Sequence, residues 1–201
     1  MVSLQKKSYP MEALHQPGKA QWASPQAKVV MSALLSDAGL EGELIRALEG
    51  ELGGVDLVSE RLPFDHTRYY EREMGSALHR RMISFRDLMA ADSLVEVKLK
   101  AQALEAGFAG SGGRRRVNLD PGILGLDNFV LATHKGYAHR IYLGRGVFAD
   151  LALIYRKGGF RPLEWTYPDY ASAAMLNLLD QIRSVLVWQR RRAREGESNV
   201  S

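Results

Sequence analysis

Between Arg140 and Arg156 the side chains sort onto two faces by a period of two, on either side of Gly144-Arg145-Gly146. That pattern reads as an antiparallel hairpin closed at the glycines. No other stretch limits the fold as much, because a hairpin with an apolar face must join a sheet, and the sheet must be covered. A three-residue loop at 144–146 pairs Leu143 with Val147 and Ile141 with Ala149, and sets Arg140 opposite Asp150. One face then presents Ile141, Leu143, Val147, Ala149, Leu151 and Leu153 to a core. The other carries Arg140, Tyr142, Phe148 and Asp150.

The cover comes from helices. Leu40, Leu44, Ile45, Leu48 and Leu52 form one helical stripe that begins near Asp37 and ends at Gly53-Gly54. Leu94, Val97, Leu104 and Phe108 form a second, capped by Asp92 or Ser93. A long terminal helix over 169–194 carries Met175, Leu178, Leu179, Ile182, Val185, Leu186 and Trp188. Between these lie strand-like runs at 28–36, 55–62 (closed by Pro63), 82–88, 114–119 (ended by a turn at Asp120-Pro121-Gly122) and 129–133, with an extended segment at 160–167. The expected fold is α+β: a mainly antiparallel or mixed sheet packed against helices, with a long C-terminal helix. Residues 1–26 read as a disordered leader, 27–189 as one domain and 190–201 as a basic flexible tail.

The charge distribution limits the partners. Of the formal net charge of +4, two come from residues 1–26 (Lys6, Lys7 and Lys19 against Glu12). Two more come from 190–201 (Arg190, Arg191, Arg192 and Arg194 against Glu195 and Glu197), which leaves the body neutral. A neutral body argues against nucleic acid as its ligand. The chain has no cysteine, so disulfides, thiolate metal sites and a cysteine nucleophile are excluded. No apolar run is long enough to cross a bilayer and no secretory signal is apparent, so the expected location is cytoplasmic.

Four segments concentrate polar and aromatic groups. In Phe64–Gly75, read as a short helix capped by Asp65 or Thr67 and stopped by Gly75, the residues Asp65, His66, Tyr70 and Glu73 are the candidate acid–base groups. His66 and Tyr70 are four apart and Tyr70 and Glu73 three apart, which places them on one helical face. A capped surface helix whose tyrosines lie over the core fits the same residues. In Arg116–Gly122, strand alternation sets Arg116, Asn118 and Asp120 on one face; a solvated edge strand is the alternative. His134, Lys135, His139 and Arg140 lead into the hairpin, where Arg140 and Asp150 either orient an anion site or form a surface ion pair worth ~0.2–1 kcal/mol. Trp165-Thr166-Tyr167-Pro168-Asp169-Tyr170 offers rings for stacking on a planar ligand, or for packing a helix–sheet junction. Gly110–Gly113 followed by Arg114–Arg116 could touch phosphate, but it precedes a strand rather than a helix and reads as a linker turn. There is no G-x-x-x-x-G-K-[ST] and no G-x-G-x-x-G, and no paired spacing such as H-E-x-x-H supports a metal, so none is assigned.

These four motifs in their order resemble an uncharacterised bacterial family, the domain of unknown function 4416, from about Lys28 to the terminal helix. Members often carry an automated GTP-binding name. The resemblance implies possible nucleotide binding and no established catalytic residues.

The expected function is to bind or act on a small anionic ligand, a nucleotide or other phosphorylated compound, at a polar site built from the four motifs. Arg116, Lys135 and Arg140 hold the anion, Asn118, Asp120 and Asp150 orient these groups, and His134 and His139 are further ligand-binding candidates. The alternative is a non-enzymatic module that engages RNA or a protein through the aromatics and the basic tail.

Overall fold

β1 (Gln26–Leu35) is buried along its whole length after Gln26, because helices cover both of its faces. The computed structural model describes residues 24–64, 69–75 and 78–198. Val29, Met31, Ala33 and Leu35 pack with α1 (Glu41–Leu52) and α3 (Leu94–Gly107). Val30 packs on the opposite face with α4 (Ala173–Ser198). A strand buried on both sides reads as a continuous apolar run, as Val29-Val30-Met31 does.

β4 (His79–Phe85) and β6 (Val117–Leu124) flank β1. Beyond β4, β2 (Val55–Val58) and β3 (Leu62–Pro63) pair with its two halves. Beyond β6 come β7 (Asn128–Thr133) and then β9 (Val147–Arg156). β8 (Arg140–Gly144) and β10 (Gly159–Pro162) share the outer edge of β9. β5 (Met89–Ala90) pairs with the start of β1. Every one of these pairings is antiparallel, so the chain is α+β, with an antiparallel sheet and a long C-terminal helix.

The helical stripes follow their spacing. Leu40, Leu44, Leu48 and Leu52 are buried, and so are Met175, Leu179, Ile182 and Leu186. Lys28 lies inside the α4 face and is fully buried. Its ammonium donates to Asp56 Oδ2 (2.6 Å), the Phe85 carbonyl (2.7 Å) and Gln189 Oε1 (3.1 Å), so all three N–H donors are satisfied. No helix among the described residues is long and apolar enough to cross a membrane.

Several expected elements differ. The run 55–62 is two short strands, and Pro63 lies within the second instead of closing the first. β4 starts at His79, three residues before the expected Met82. β6 runs through Asp120-Pro121-Gly122, with Pro121 opposite Met31. The extended segment ends at Pro162 and gives way to turns before α4. A 3₁₀ turn at Ala91–Ser93 leads into α3, and Ser93 makes no side-chain cap. Asp37 does cap, accepting from Gly39 N–H ahead of α1. Gln26 of the expected leader belongs to β1, and the expected tail is helical as far as Ser198. Val185 and Trp188 of the terminal stripe are exposed.

The hairpin keeps its key pairs by a different route. Arg140 faces Asp150 and Ile141 faces Ala149, as the alternation requires. The turn is the pair Arg145-Gly146, both with positive φ, and a bulge at Leu143 absorbs the extra residue so that Gly144 pairs with Val147. Ile141 and Leu143, expected in the core, are exposed, Ile141 by 69%. β8 is an outer-edge strand beyond the helical cover, while Val147 on β9 is fully buried.

Candidate functional site

Strand register builds the first part of the site. Leu34 on β1 pairs with Arg80 on β4 and Asn118 on β6, and Ser32 pairs with Met82 and Asp120. Residues two apart share a face, so Arg80, Ser32, Asn118 and Asp120 occupy neighbouring rows on the α4 side of the sheet. Asp169 and Tyr170, in the turns before α4, close over them. The buried Arg80 guanidinium meets Asp169 Oδ2 at 2.5 Å and lies 4.8 Å from the Phe64 ring centre and 5.1 Å from that of Tyr170. Asn118 Nδ2 donates to Asp120 Oδ2 at 2.8 Å, and Lys98 Nζ lies 3.2 Å from Asp120 Oδ1.

Two phenols in this cluster are held protonated. Burial, seconded by the Asp120 charge, pushes the Tyr70 hydroxyl far above its ordinary value. Burial pushes Tyr170 up to about 12, against the opposing pull of Arg80 and a hydrogen bond with Ser32. Both act near neutral pH as hydrogen-bonding groups, not as bases.

The second part lies on β8 and β9. Arg140 donates through Nε to Asp150 Oδ2, through Nη1 to the Lys135 carbonyl and through Nη2 to the Tyr167 hydroxyl, each at 2.9 Å. Three oriented acceptors on a planar fork fix the loop 135–140 and the segment around Tyr167 to the hairpin. The His139 ring stacks on Trp165 with centres 4.9 Å apart, its Nε2 is 3.4 Å from Asp150 Oδ1, and Tyr137 meets it edge-on. Trp165 is itself anchored by its indole N–H to the Leu151 carbonyl at 2.8 Å.

Tyr69 and Tyr70 join the two parts. Their rings meet edge to face at 5.0 Å, with Tyr70 near Asp120. Lys135 Nζ donates to the Tyr69 hydroxyl at 2.8 Å and lies 4.1 Å from that ring's centre. All four motifs therefore contribute to one connected set of contacts.

Some expected members are not in that set. Asp65 and His66 lie outside the described residues, as does the expected cap of the motif's helix by Asp65 or Thr67. That helix, α2 (Glu71–Met74), is a single turn with Tyr70 at its N-cap and Gly75 ending it at φ 90°. Glu73 is exposed and lies 3.4 Å from Arg115. Arg116 pairs with Asp37 at 3.1 Å, apart from Lys135 and Arg140. His134 Nδ1 is bound to the Gly146 carbonyl at 2.9 Å, at the hairpin turn.

Arg80 and Lys98 are cluster members that the sequence did not point to, while Asp169 and Tyr170 belong to the fourth motif. Starting the strand at Met82 left Arg80 outside it. The polar run His79-Arg80-Arg81 set directly between Leu78 and the apolar Met82-Ile83 was the available signal.

An antiparallel sheet covered by helices on both faces, with a polar and aromatic cluster across its α4 side, defines an α+β protein with a candidate ligand-binding face. A family model described as a domain of unknown function, DUF4416, matches residues 25–185, and the chain belongs to that family. The match runs from the start of β1 into α4 and includes the whole cluster. No similar protein was found among functionally curated proteins or among solved structures.

Proposed function

We propose that this protein binds a small anionic ligand, a nucleotide or another phosphorylated compound, on the face where the four motifs meet. The supporting observation is Lys135. Its ammonium has no carboxylate partner among the described residues and stands at the Tyr69 hydroxyl. Tyr69, Tyr137, Trp165 and Tyr167 around it are all exposed, Tyr137 by 70%. Exposed rings grouped in this way favour a ligand with a planar part, and an unneutralised ammonium favours a phosphate.

The other cations of this face are already matched. Arg140 is bound to Asp150, Arg80 to Asp169 and Lys98 to Asp120. Their role in this reading is to position Lys135 and the rings. Asp65 and His66 remain the candidate acid–base groups of an enzymatic version, with Glu73 beside Arg115 and the protonated Tyr70 hydroxyl as a hydrogen-bonding group.

Thermal-shift measurements with nucleotides and sugar phosphates test the reading. A cognate ligand raises the unfolding temperature of the wild type, and Lys135→Ala weakens its binding by roughly tenfold or more, as removal of a charged hydrogen-bonding partner does. A stabilising ligand whose effect survives Lys135→Ala sinks the proposal. Repeating the assay on His66→Ala asks whether the neighbouring acid–base segment contributes.

A further inference from the structure

A cleft of about 400 Å³ opens where the end of β1, the end of α2, the glycine turn after α3 and the approach to β6 meet. Ser36, Met74, Gly110, Ser111, Arg114 and Arg116 line it. Its chemistry differs from that of the four-motif face: among the described residues the lining has two guanidinium groups and two hydroxyls, and neither a carboxylate nor an aromatic ring.

The glycines make this arrangement possible. Gly110 N–H donates to the Arg114 carbonyl at 2.8 Å and Gly113 N–H to the Gly110 carbonyl at 3.1 Å, which closes the turn. Gly112 and Gly113 have φ of 72° and 76°, a region that side-chain-bearing residues rarely adopt. The strand-like alternation that follows sends Arg115 to Glu105, at 2.9 Å, and Arg114 and Arg116 to the cleft. A Cβ on Gly110 would lie 3.1 Å from Arg116 Cδ, and one on Gly75 would lie 3.5 Å from Arg114 Nη2. Both guanidinium side chains therefore lie against bare backbone. Asp37 neutralises Arg116, while Arg114 is exposed and has no carboxylate partner among the described residues.

We propose that this cleft is a second anion site, which takes the phosphate group of a small phosphorylated metabolite on Arg114 and Arg116 with Ser111 as a hydroxyl donor, while the Ser36 hydroxyl is held on the Arg116 carbonyl at 3.2 Å. Forked guanidinium donors match phosphate oxygens. The volume exceeds that of phosphate alone and leaves room for a small organic part beside Met74. With two guanidinium groups and no ring among the described residues of its lining, the cleft selects for the phosphate and not for a base. In the sequence Arg114–Arg116 read as a possible phosphate contact beside a linker turn, and Arg116 as an anion holder of the four-motif site; it is the folded turn that brings Arg114 and Arg116 to one wall of the cleft.

Titration calorimetry with inorganic phosphate, and separately with glycerol phosphate, at constant ionic strength tests the site. Saturable binding is expected for the wild type. Arg114→Ala should weaken it by roughly tenfold or more while leaving the unfolding temperature in place, because Arg114 is exposed and makes no ion pair among the described residues. Arg114→Lys, which keeps the charge and loses the fork, should fall between the two. Lys135→Ala should retain the binding that Arg114→Ala loses. Absence of saturable binding to both probes overturns the proposal, and so does binding that Arg114→Ala leaves unchanged. Binding lost in Lys135→Ala alone assigns the anion to the four-motif face and removes the cleft from consideration.

Discussion

A Cβ placed on Gly122 would lie 2.6 Å from one carbon of the Phe129 ring and 3.0 Å from the Val130 carbonyl oxygen. Glycine is required there because a fully buried aromatic ring rests on the backbone of β6. Gly122→Ala must displace that ring or bend the strand, and its expected destabilisation is ~1–3 kcal/mol, the usual range for overpacking a core. Urea denaturation measures it, and an unchanged midpoint would show that Phe129 has room to move. The same residue explains a misreading. Pro121-Gly122 has the composition of a turn, and the partners that make Gly122 a strand residue, Val30 on β1 and Leu131 on β7, lie outside its local sequence. Pro121 is tolerated for a related reason. Leu119 turns its N–H and carbonyl toward side chains of α3, away from β1. By the two-residue repeat, Pro121 turns its missing N–H the same way, and pairing with β7 begins only at Gly122.

That open edge of β6 shows how an element is completed by a neighbour that sequence patterns do not reveal. From Val117 to Asp120 the strand has β1 on one side and no described strand on the other. Glu105 of α3 accepts from Leu119 N–H and also binds Arg115, while Lys98, two turns earlier, donates to the Leu119 carbonyl at 2.9 Å. Two charged side chains thus replace a missing strand. Glu105→Ala leaves a buried backbone N–H without its acceptor, at an expected cost of ~1–3 kcal/mol. Glu105→Gln keeps an acceptor for Leu119 and should lose less. Chemical denaturation of both variants separates the edge contact from the ion pair, and equal losses would mean that Arg115 alone matters. Helical spacing made the core side of α3 legible at Leu94 and Val97. Lys98 and Glu105 looked like ordinary solvated positions because their partners are backbone atoms of a strand formed later in the chain. β8 failed in the opposite direction: alternation gave the Arg140–Asp150 pair, but no local pattern could show that Ile141 and Leu143 lie at a sheet edge that the helices do not reach. Arg80, at the centre of the cluster, was missed because its value depends on Phe64, Asp169 and Tyr170, which only the folded chain brings together.

For the whole molecule, the sign of each shifted group sets the pH range over which the fold is stable. His79 is pulled below its ordinary value of 6.5 by burial and by the Arg61 charge, so the unfolded chain takes up that proton first as pH falls. Its contribution to stability is present above about 6.5 and is lost on acidification through the folded value. Glu41 follows at lower pH: burial raises its carboxyl, but Arg81 and Arg61 outweigh that and hold it below 4.5. At the other end, the buried Tyr170 titrates at about 12 and Tyr70 is raised in the same direction. Their contribution is complete below the ordinary phenol value of 10 and is lost as pH rises toward the folded one. Stability against urea should therefore be flat from about pH 7 to 9, fall in two steps in acid, and fall again in strong alkali. The groups sit on different elements: His79 opens β4, Glu41 opens α1, and the phenols flank the polar cluster. A His79→Gln variant should lose the first acid step, just below pH 6.5, while keeping the second. If the first step persists in that variant, its source is another group, and the burial of His79 at the start of β4 has no bearing on acid stability.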